Sequence, residues 1–286
     1  MALPLTPAPA THDDERQLQA LEIELLLTGM AERYGYDFRQ YARASLTRRI
    51  RKVMHNESLP SVSALQSRLL HDVDAAMRFV ASVSVHTTAM FRDPDVYQVL
   101  RDDVIPLLRT YPFVRVWHAG CSSGEEVYSL AILLEEEGLY DRCRIYATDI
   151  SDAILDKARQ GVFPLRAMRE HTRAYQAAGG TRDFSSYYVT DHEAAVFRSA
   201  LRRQLVFSQH NLVCDSTFNE FQLIVCRNVL LYFDANLRER AHALFHGSLS
   251  NFGVLVLGKK ESLRFTEHAQ AYAELRESAR VYRKVR

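Results

Sequence analysis

The chain has 286 residues, 47% hydrophobic and 25% charged, with a formal net charge of +1. That length allows one large domain or two, and so even a balance argues for no nucleic-acid or membrane partner, leaving any electrostatic targeting to local patches. The four cysteines (Cys121, Cys143, Cys214, Cys226) form no CxxC pair and have no histidine at metal-ligand spacing, which argues against structural zinc or a disulfide framework and fits a reducing cytoplasm.

The opening "MALPLTPAPATHDDE" has neither a basic n-region nor a continuous apolar h-region, so residues 1–16 are expected to be a disordered tail, not a signal peptide. No run of 18 apolar residues follows, and no membrane insertion is expected. From Leu18 to Val80 apolar residues recur every three or four positions. Three helices are predicted, in "LQALEIELLLTGMAERYG", "DFRQYARASLTRRIRKVMHN" and "SVSALQSRLLHDVDAAMRFVASV", making a helical domain over 17–84.

The second of these helices is unusually basic. Arg39, Arg43, Arg48, Arg49, Arg51 and Lys52 occur with no acid between Arg39 and Met54. On a helical wheel Ala42, Leu46, Ile50 and Val53 share a stripe, and Arg48, Arg51 and Lys52 point away from it. A charge run is by default a solvated face, but solubilising faces normally mix both signs.

After "VSVHTTAMFRDP" the pattern changes to strands and helices in alternation, over 85–286. Strands are predicted at 114–120, 144–150, 222–228 and 253–260, with helices near 124–137, 151–160 and 235–251. Such alternation implies a mainly parallel sheet covered on both faces. Between Gly161 and Gln204 the pattern lapses into a polar, aromatic-spotted stretch, too long for a simple loop and expected to form a subdomain.

In an open α/β sheet, ligands bind beyond the carboxyl ends of the strands. The first such end reads "HAGCSSGEEVYSL". It is neither GxGxxG nor a P-loop, and it has no lysine for a phosphate. Glu125 and Glu126 would repel one at low local dielectric. A phosphate-free, cationic adenosine cofactor suits the turn better, although two acids in a first helical turn also simply favour the helix dipole. Asp149, at the end of the second strand, is placed to accept from ribose hydroxyls, with capping of the next helix as the plainer alternative.

Taken in order, "TTAMFRD", "HAGCSSGEEVYSLA", "YATDIS", "QHNL" and "CRNVLLYF" resemble the CheR family of chemotaxis receptor methyltransferases, over nearly the whole chain from about residue 20. The resemblance implies a Rossmann-like class I methyltransferase sheet of the α/β class, with an N-terminal helical domain and a small inserted antiparallel β-subdomain at 162–205. It implies S-adenosylmethionine as cofactor, S-adenosylhomocysteine as product, and methyl esterification of glutamates on the cytoplasmic helices of chemoreceptors. No metal is called for, no nucleic acid is expected, and a cytoplasmic monomer is.

Carried over by position, Thr88 and Arg92 match the family's cofactor-touching segment, Glu125 its first turn acid, Asp149 its acid after the second strand, and Asn211 and Leu212 its adenine-side pair. Arg227, Asn228 and Tyr232 match "C-R-N-x-x-x-Y-F". Arg92 and Tyr232 are the catalytic candidates; the remaining matches, with Arg92 again and His86, are cofactor candidates, and Arg48, Arg51 and Lys52 become a docking face for anionic receptor helices. Glu126 is expected only to favour the helix start. His86 stands where many members have Asn, Met90 where they have Phe, Ser123 for Thr and Val127 for Pro. Plainer readings pair Arg92 with Asp93 or Asp95 and place Tyr232 in the core. Two rivals are a methyltransferase for nucleic acid or a small molecule, which lacks its Asn/Asp-Pro-Pro-aromatic motif here, and a non-catalytic cofactor-sensing scaffold.

Overall fold

The computed structural model describes residues 12–83 and 88–285, and the chain separates into one unit up to residue 84 and a second from 85 onward. Among the described residues the first unit holds four helices: α1 (His12–Tyr34), α2 (Arg43–Asn56), α3 (Val62–His71) and α4 (Val73–Val83). Helix α1 starts inside the stretch expected to be tail, where Asp13, Asp14 and Glu15 fill its first turn and suit the positive end of the helix dipole. It buries Ile23, Leu26, Leu27 and Met30, one stripe at helical spacing. The single helix expected over 61–83 is two, because Asp72 is extended (φ −125°, ψ 104°) and its Oδ1 accepts from Ala75 N at 3.0 Å. An aspartate doing this starts a new helix.

Helix α2 begins six residues later than expected, leaving Arg39 outside it in an ion pair with Asp37. Its apolar stripe is buried through Leu46, Ile50 and Val53. Arg43 pairs with Glu24 and Arg51 bonds the Gln19 amide oxygen. Arg48 and Lys52 pair with no carboxylate among the described residues.

The second unit runs α5 (Pro94–Val99), a π-helical turn, α6 (Ile105–Leu108), β1 (Val114–Ala119), α7 (Glu125–Glu136), β2 (Cys143–Asp149), α8 (Asp152–Gln160), β3 (Val162–Pro164), α9 (Met168–Ala177), β4 (Tyr188–Asp191), β5 (Ala194–Phe197), β6 (Leu205–Gln209), β7 (Phe221–Cys226), α10 (Ala235–Ser248), β8 (Leu249–Leu257), β9 (Tyr272–Arg276) and β10 (Val281–Lys284). The main sheet has seven strands ordered β6-β2-β1-β7-β8-β10-β9. The first five are parallel and the β9–β10 hairpin is antiparallel. The chain order reverses between β1 and β7, so their carboxyl ends flank the crevice where open sheets bind ligands.

β1 and β7 are apolar along most of their length because both faces are covered: Val114, Val116, Trp117 and Ala119 are all at 0% exposure. The inserted segment makes a three-stranded antiparallel sheet, β3-β5-β4. It shares the main core through Phe163, Tyr175, Phe184 and Phe197. Glu136 of α7 secures it, accepting from the hydroxyls of Tyr175 and Tyr187.

Candidate functional site

The turn after β1 is bent by three left-handed residues, Gly120 (φ +72°), Ser122 (φ +51°) and Gly124 (φ +94°). Gly120 is required twice over. Beyond its φ, a Cβ there would lie 2.4 Å from the Val229 side chain. The amides of Gly120 and Cys121 both donate to Thr148 O, at 2.8 and 2.9 Å, which sets the turn against the end of β2. α7 then starts at Glu125 with no side-chain cap.

Ser123 Oγ donates to Glu125 Oε2 at 2.6 Å. Burial raises the Glu125 carboxyl above the ordinary range, and the Ser123 bond opposes that only in part. Asp149 is 8% exposed and accepts from Ser122 N at 2.8 Å and Ser151 N at 3.2 Å. It therefore ties the turn after β1 to the segment that leads from β2 into α8. The turn after β6 lies alongside, with His210 N donating to Asp149 O at 3.1 Å. Asn211 Oδ1 accepts from Val213 N and its amide donates to Asp215, so the loop that presents Leu212 is braced from within.

At the end of β7, Arg227 is 5% exposed. Its guanidinium donates to Glu126 Oε1 and Asp93 Oδ2 and, at 2.9 Å, to Arg92 O. The charge of Arg227, a residue the resemblance assigns to the cofactor, is thus taken up by two carboxylates and the backbone of the segment around Arg92. Glu126 was expected only to help start the helix, but it is 4% exposed and lies under Arg227. Burial raises its carboxyl while the charges of Arg227 and Arg92 pull it down. His118, also buried, is held near pKa 3 by desolvation and by Arg227; it is neutral at physiological pH and supplies no competing charge.

This pairing fixes the segment that carries Arg92. Phe91 (φ +51°) and Asp93 (φ +54°) flank it in left-handed conformations, uncommon outside glycine and least expected for the bulky Phe91. Phe91 N donates to Ser129 Oγ at 2.9 Å. Strained backbone persists only where its surroundings over-determine it, and here Arg227 and Ser129 grip both ends. Of the two acids suggested as partners for Arg92, Asp93 pairs with Arg227 and Asp95 with Lys259. Thr88 and Tyr232 are half-buried, with Tyr232 on the short turn Leu230–Tyr232. His86 lies outside the described residues. Arg48, Arg51 and Lys52 belong to the first unit.

Asn228 is left-handed (φ +61°) and its Oδ1 is a buried acceptor without a hydrogen-bond partner. Its amide donates to Glu261 at 3.0 Å, and Glu261 also takes Gly258 N and Leu231 N. Glu261 is a support the sequence did not single out. The crevice thus offers acceptors (Glu125, Asp149, Asn228 Oδ1) and no lysine in its turn. Such an acceptor set fits a ligand with an amine and hydroxyls and does not fit a phosphate.

Comparison with known proteins agrees. Residues 86–279 match the CheR methyltransferase SAM-binding domain, and residues 21–84 match the CheR methyltransferase all-alpha domain. A putative methyltransferase, Cher3, of Pseudomonas putida is 47% identical over 264 residues, covering 92% of this chain and 97% of that protein. A chemotaxis protein methyltransferase of Listeria innocua is 32% identical over 231 residues, covering 80% of this chain and 85% of that one. Among solved structures, the N-methyltransferase NodS of Bradyrhizobium japonicum with S-adenosylhomocysteine is 16% identical with a TM-score of 0.39, over 68% of this chain and 88% of that one. The chain belongs to the CheR methyltransferase family and is an S-adenosylmethionine-dependent methyltransferase.

Proposed function

We propose that the protein esterifies glutamate side chains on the cytoplasmic helices of chemoreceptors. The observation that carries the reading is the clamped turn Phe91–Asp93, whose left-handed residues flank Arg92 and whose backbone Arg227 holds beside the carboxyl end of β7. When bound, S-adenosylmethionine supplies an electrophilic methyl on a sulfonium. A glutamate carboxylate oxygen forms the new bond as the sulfur–methyl bond breaks, leaving a neutral thioether and no proton to move.

No strong base is required, because a glutamate of pKa about 4.3 is already ionised at neutral pH. The protein's task is alignment, which is worth roughly 7–11 kcal/mol of barrier for well-oriented reactants. Arg92 holds the incoming carboxylate through a charge-assisted pair. Tyr232 supplies an aromatic wall beside the transferring methyl. Glu125 takes the cofactor's ammonium, Asp149 its ribose hydroxyls, and Asn211 and Leu212 the adenine, with Thr88 and Asn228 as further contacts. Arg227 acts through the Arg92 turn as a positioning residue. The cationic side of α2 meets the anionic receptor helix. Relatives named as chemotaxis protein methyltransferases support this substrate class.

The test is Arg92→Ala assayed for transfer from methyl-labelled cofactor to receptor-bearing membranes. Transfer is expected to fall by at least about 100-fold, the cost of losing one well-placed charge contact, with S-adenosylmethionine affinity retained. Unchanged turnover would remove Arg92 from the mechanism.

A further inference from the structure

The short turn that carries Tyr232 also walls a second concavity. Leu230 and Leu231 line a groove of about 390 Å³ with Arg238 of α10 and the loop from Lys260 to Thr266 after β8. Glu261 ties that loop to the site, since one carboxylate accepts from Gly258, from Asn228 and from Leu231. The groove is thereby joined through Glu261 to the segment after β7 that carries Asn228 and Tyr232.

Its rim holds an expensive residue. Phe265 is fully exposed, at 103%, and its backbone is left-handed (φ +68°). Neither feature helps the fold: an aromatic gains nothing from burial it does not have, and a non-glycine residue is disfavoured at that φ. Two cations face the same groove without an ion-pair partner among the described residues, Arg238 and Lys260. A third, Arg264, is engaged by Glu274 and Glu277. His242 at the base is held to a pKa of about 4 by burial and adds no charge at neutral pH. The carboxylates present are Glu239, which accepts from Glu267 N, and the structural Glu261.

We infer that this groove receives the part of the substrate helix next to the methylated glutamate, an acid-rich amphipathic segment. One apolar residue of it packs on Phe265, and its flanking carboxylates meet Arg238 and Lys260. An aromatic platform between free cations is what an anionic helix with one apolar face requires. The inference rests on the glutamate-methylation reading and adds a specificity surface outside the crevice.

The test compares full-length wild type, Phe265→Gly, and Arg238→Glu with Lys260→Glu. Initial rates on receptor-bearing membranes are measured beside binding of a labelled synthetic peptide copied from a receptor's methylated helix. Both variants should raise the KM for receptor and weaken the peptide about tenfold, with kcat and cofactor affinity unchanged. Phe265→Gly should melt no lower than wild type, since it relieves the left-handed backbone, and this excludes misfolding as the cause. Unchanged KM and peptide affinity in both variants overturn the groove while leaving glutamate methylation intact. Peptide binding lost in the variants, with no ester formed by wild type, keeps the groove and sinks the methylation reading. Concentration-dependent dimerisation of wild type that Phe265→Gly abolishes assigns the groove to a second copy and overturns the inference.

Discussion

Replacing Glu126 by alanine should be far costlier than its place in a first helical turn suggests. Arg227, 5% exposed, would keep Asp93 and the carbonyl of Arg92 but lose the carboxylate nearest its Nη1. Removing one partner of a buried ion pair costs about 3–5 kcal/mol, and with two acceptors remaining the lower end applies. At about 2–4 °C per kcal/mol for a domain of this size, a loss of about 3 kcal/mol lowers the melting temperature by about 6–12 °C. Chemical denaturation followed by circular dichroism measures the free energy directly. Converting both members, Glu126→Met with Arg227→Met, removes the desolvation penalty as well as the attraction, and stability should return to within about 1 kcal/mol of wild type. Methyl transfer should not return. The Arg92 turn loses its clamp, and a misplacement of about 1 Å costs on the order of 100-fold. A Glu126→Ala loss below 1 kcal/mol, or full turnover in the double variant, would refute the clamp.

Two further expectations follow from the charges. Burial raises the Glu125 pKa, and only the ionised form attracts an ammonium, so S-adenosylmethionine affinity should fall as pH drops through that raised value. The decline should begin at higher pH than an ordinary carboxylate's ~4.3. A raised carboxylate disfavours the fold once ionised, so stability from this group is lost as pH rises; Glu125→Gln should flatten the calorimetric affinity profile and melt no lower than wild type at neutral pH. On α2, reversing Arg48, Arg51 and Lys52 to glutamate should raise the KM for receptor roughly 5–30-fold, corresponding to about 1–2 kcal/mol from several exposed pairs. Cofactor affinity, read by calorimetry, should not move; equal loss of both would argue against docking.

The central strands were legible because both faces are covered. "VRVW" and "QLIVC" are continuous apolar runs, and β1 and β7 formed there. The edge strands were not: β6 and β9 are largely half-buried or exposed, so "LVFSQ" and "YAELR" carry no unbroken apolar signal and are absent from the predicted strands. The helix predicted to 251 ends at Ser248, and β8 starts at Leu249, ahead of the apolar-poor "SNFG" from which the predicted strand at 253 takes its start. The turn acids could be placed from position alone, since strand ends are where ligands bind. The Arg227 clamp could not. Its partners lie 101 and 134 residues away, and no local pattern links "CRN" to the second acid of "GEE". A signal is nonetheless present: an arginine directly after the apolar run "LIVC" must be neutralised where it is buried, and Glu126 is an acid close to the same strand ends.

The most direct measurement of the proposed chemistry uses methyl-labelled S-adenosylmethionine with receptor-bearing membranes, followed by mild alkali. Glutamate methyl esters hydrolyse to volatile labelled methanol, whereas N-methyl groups stay on the protein. Base-labile label on the receptor band, absent with Arg92→Ala, is the expected result. Label that survives alkali, or none on the receptor while wild type binds cofactor, would contradict glutamate esterification.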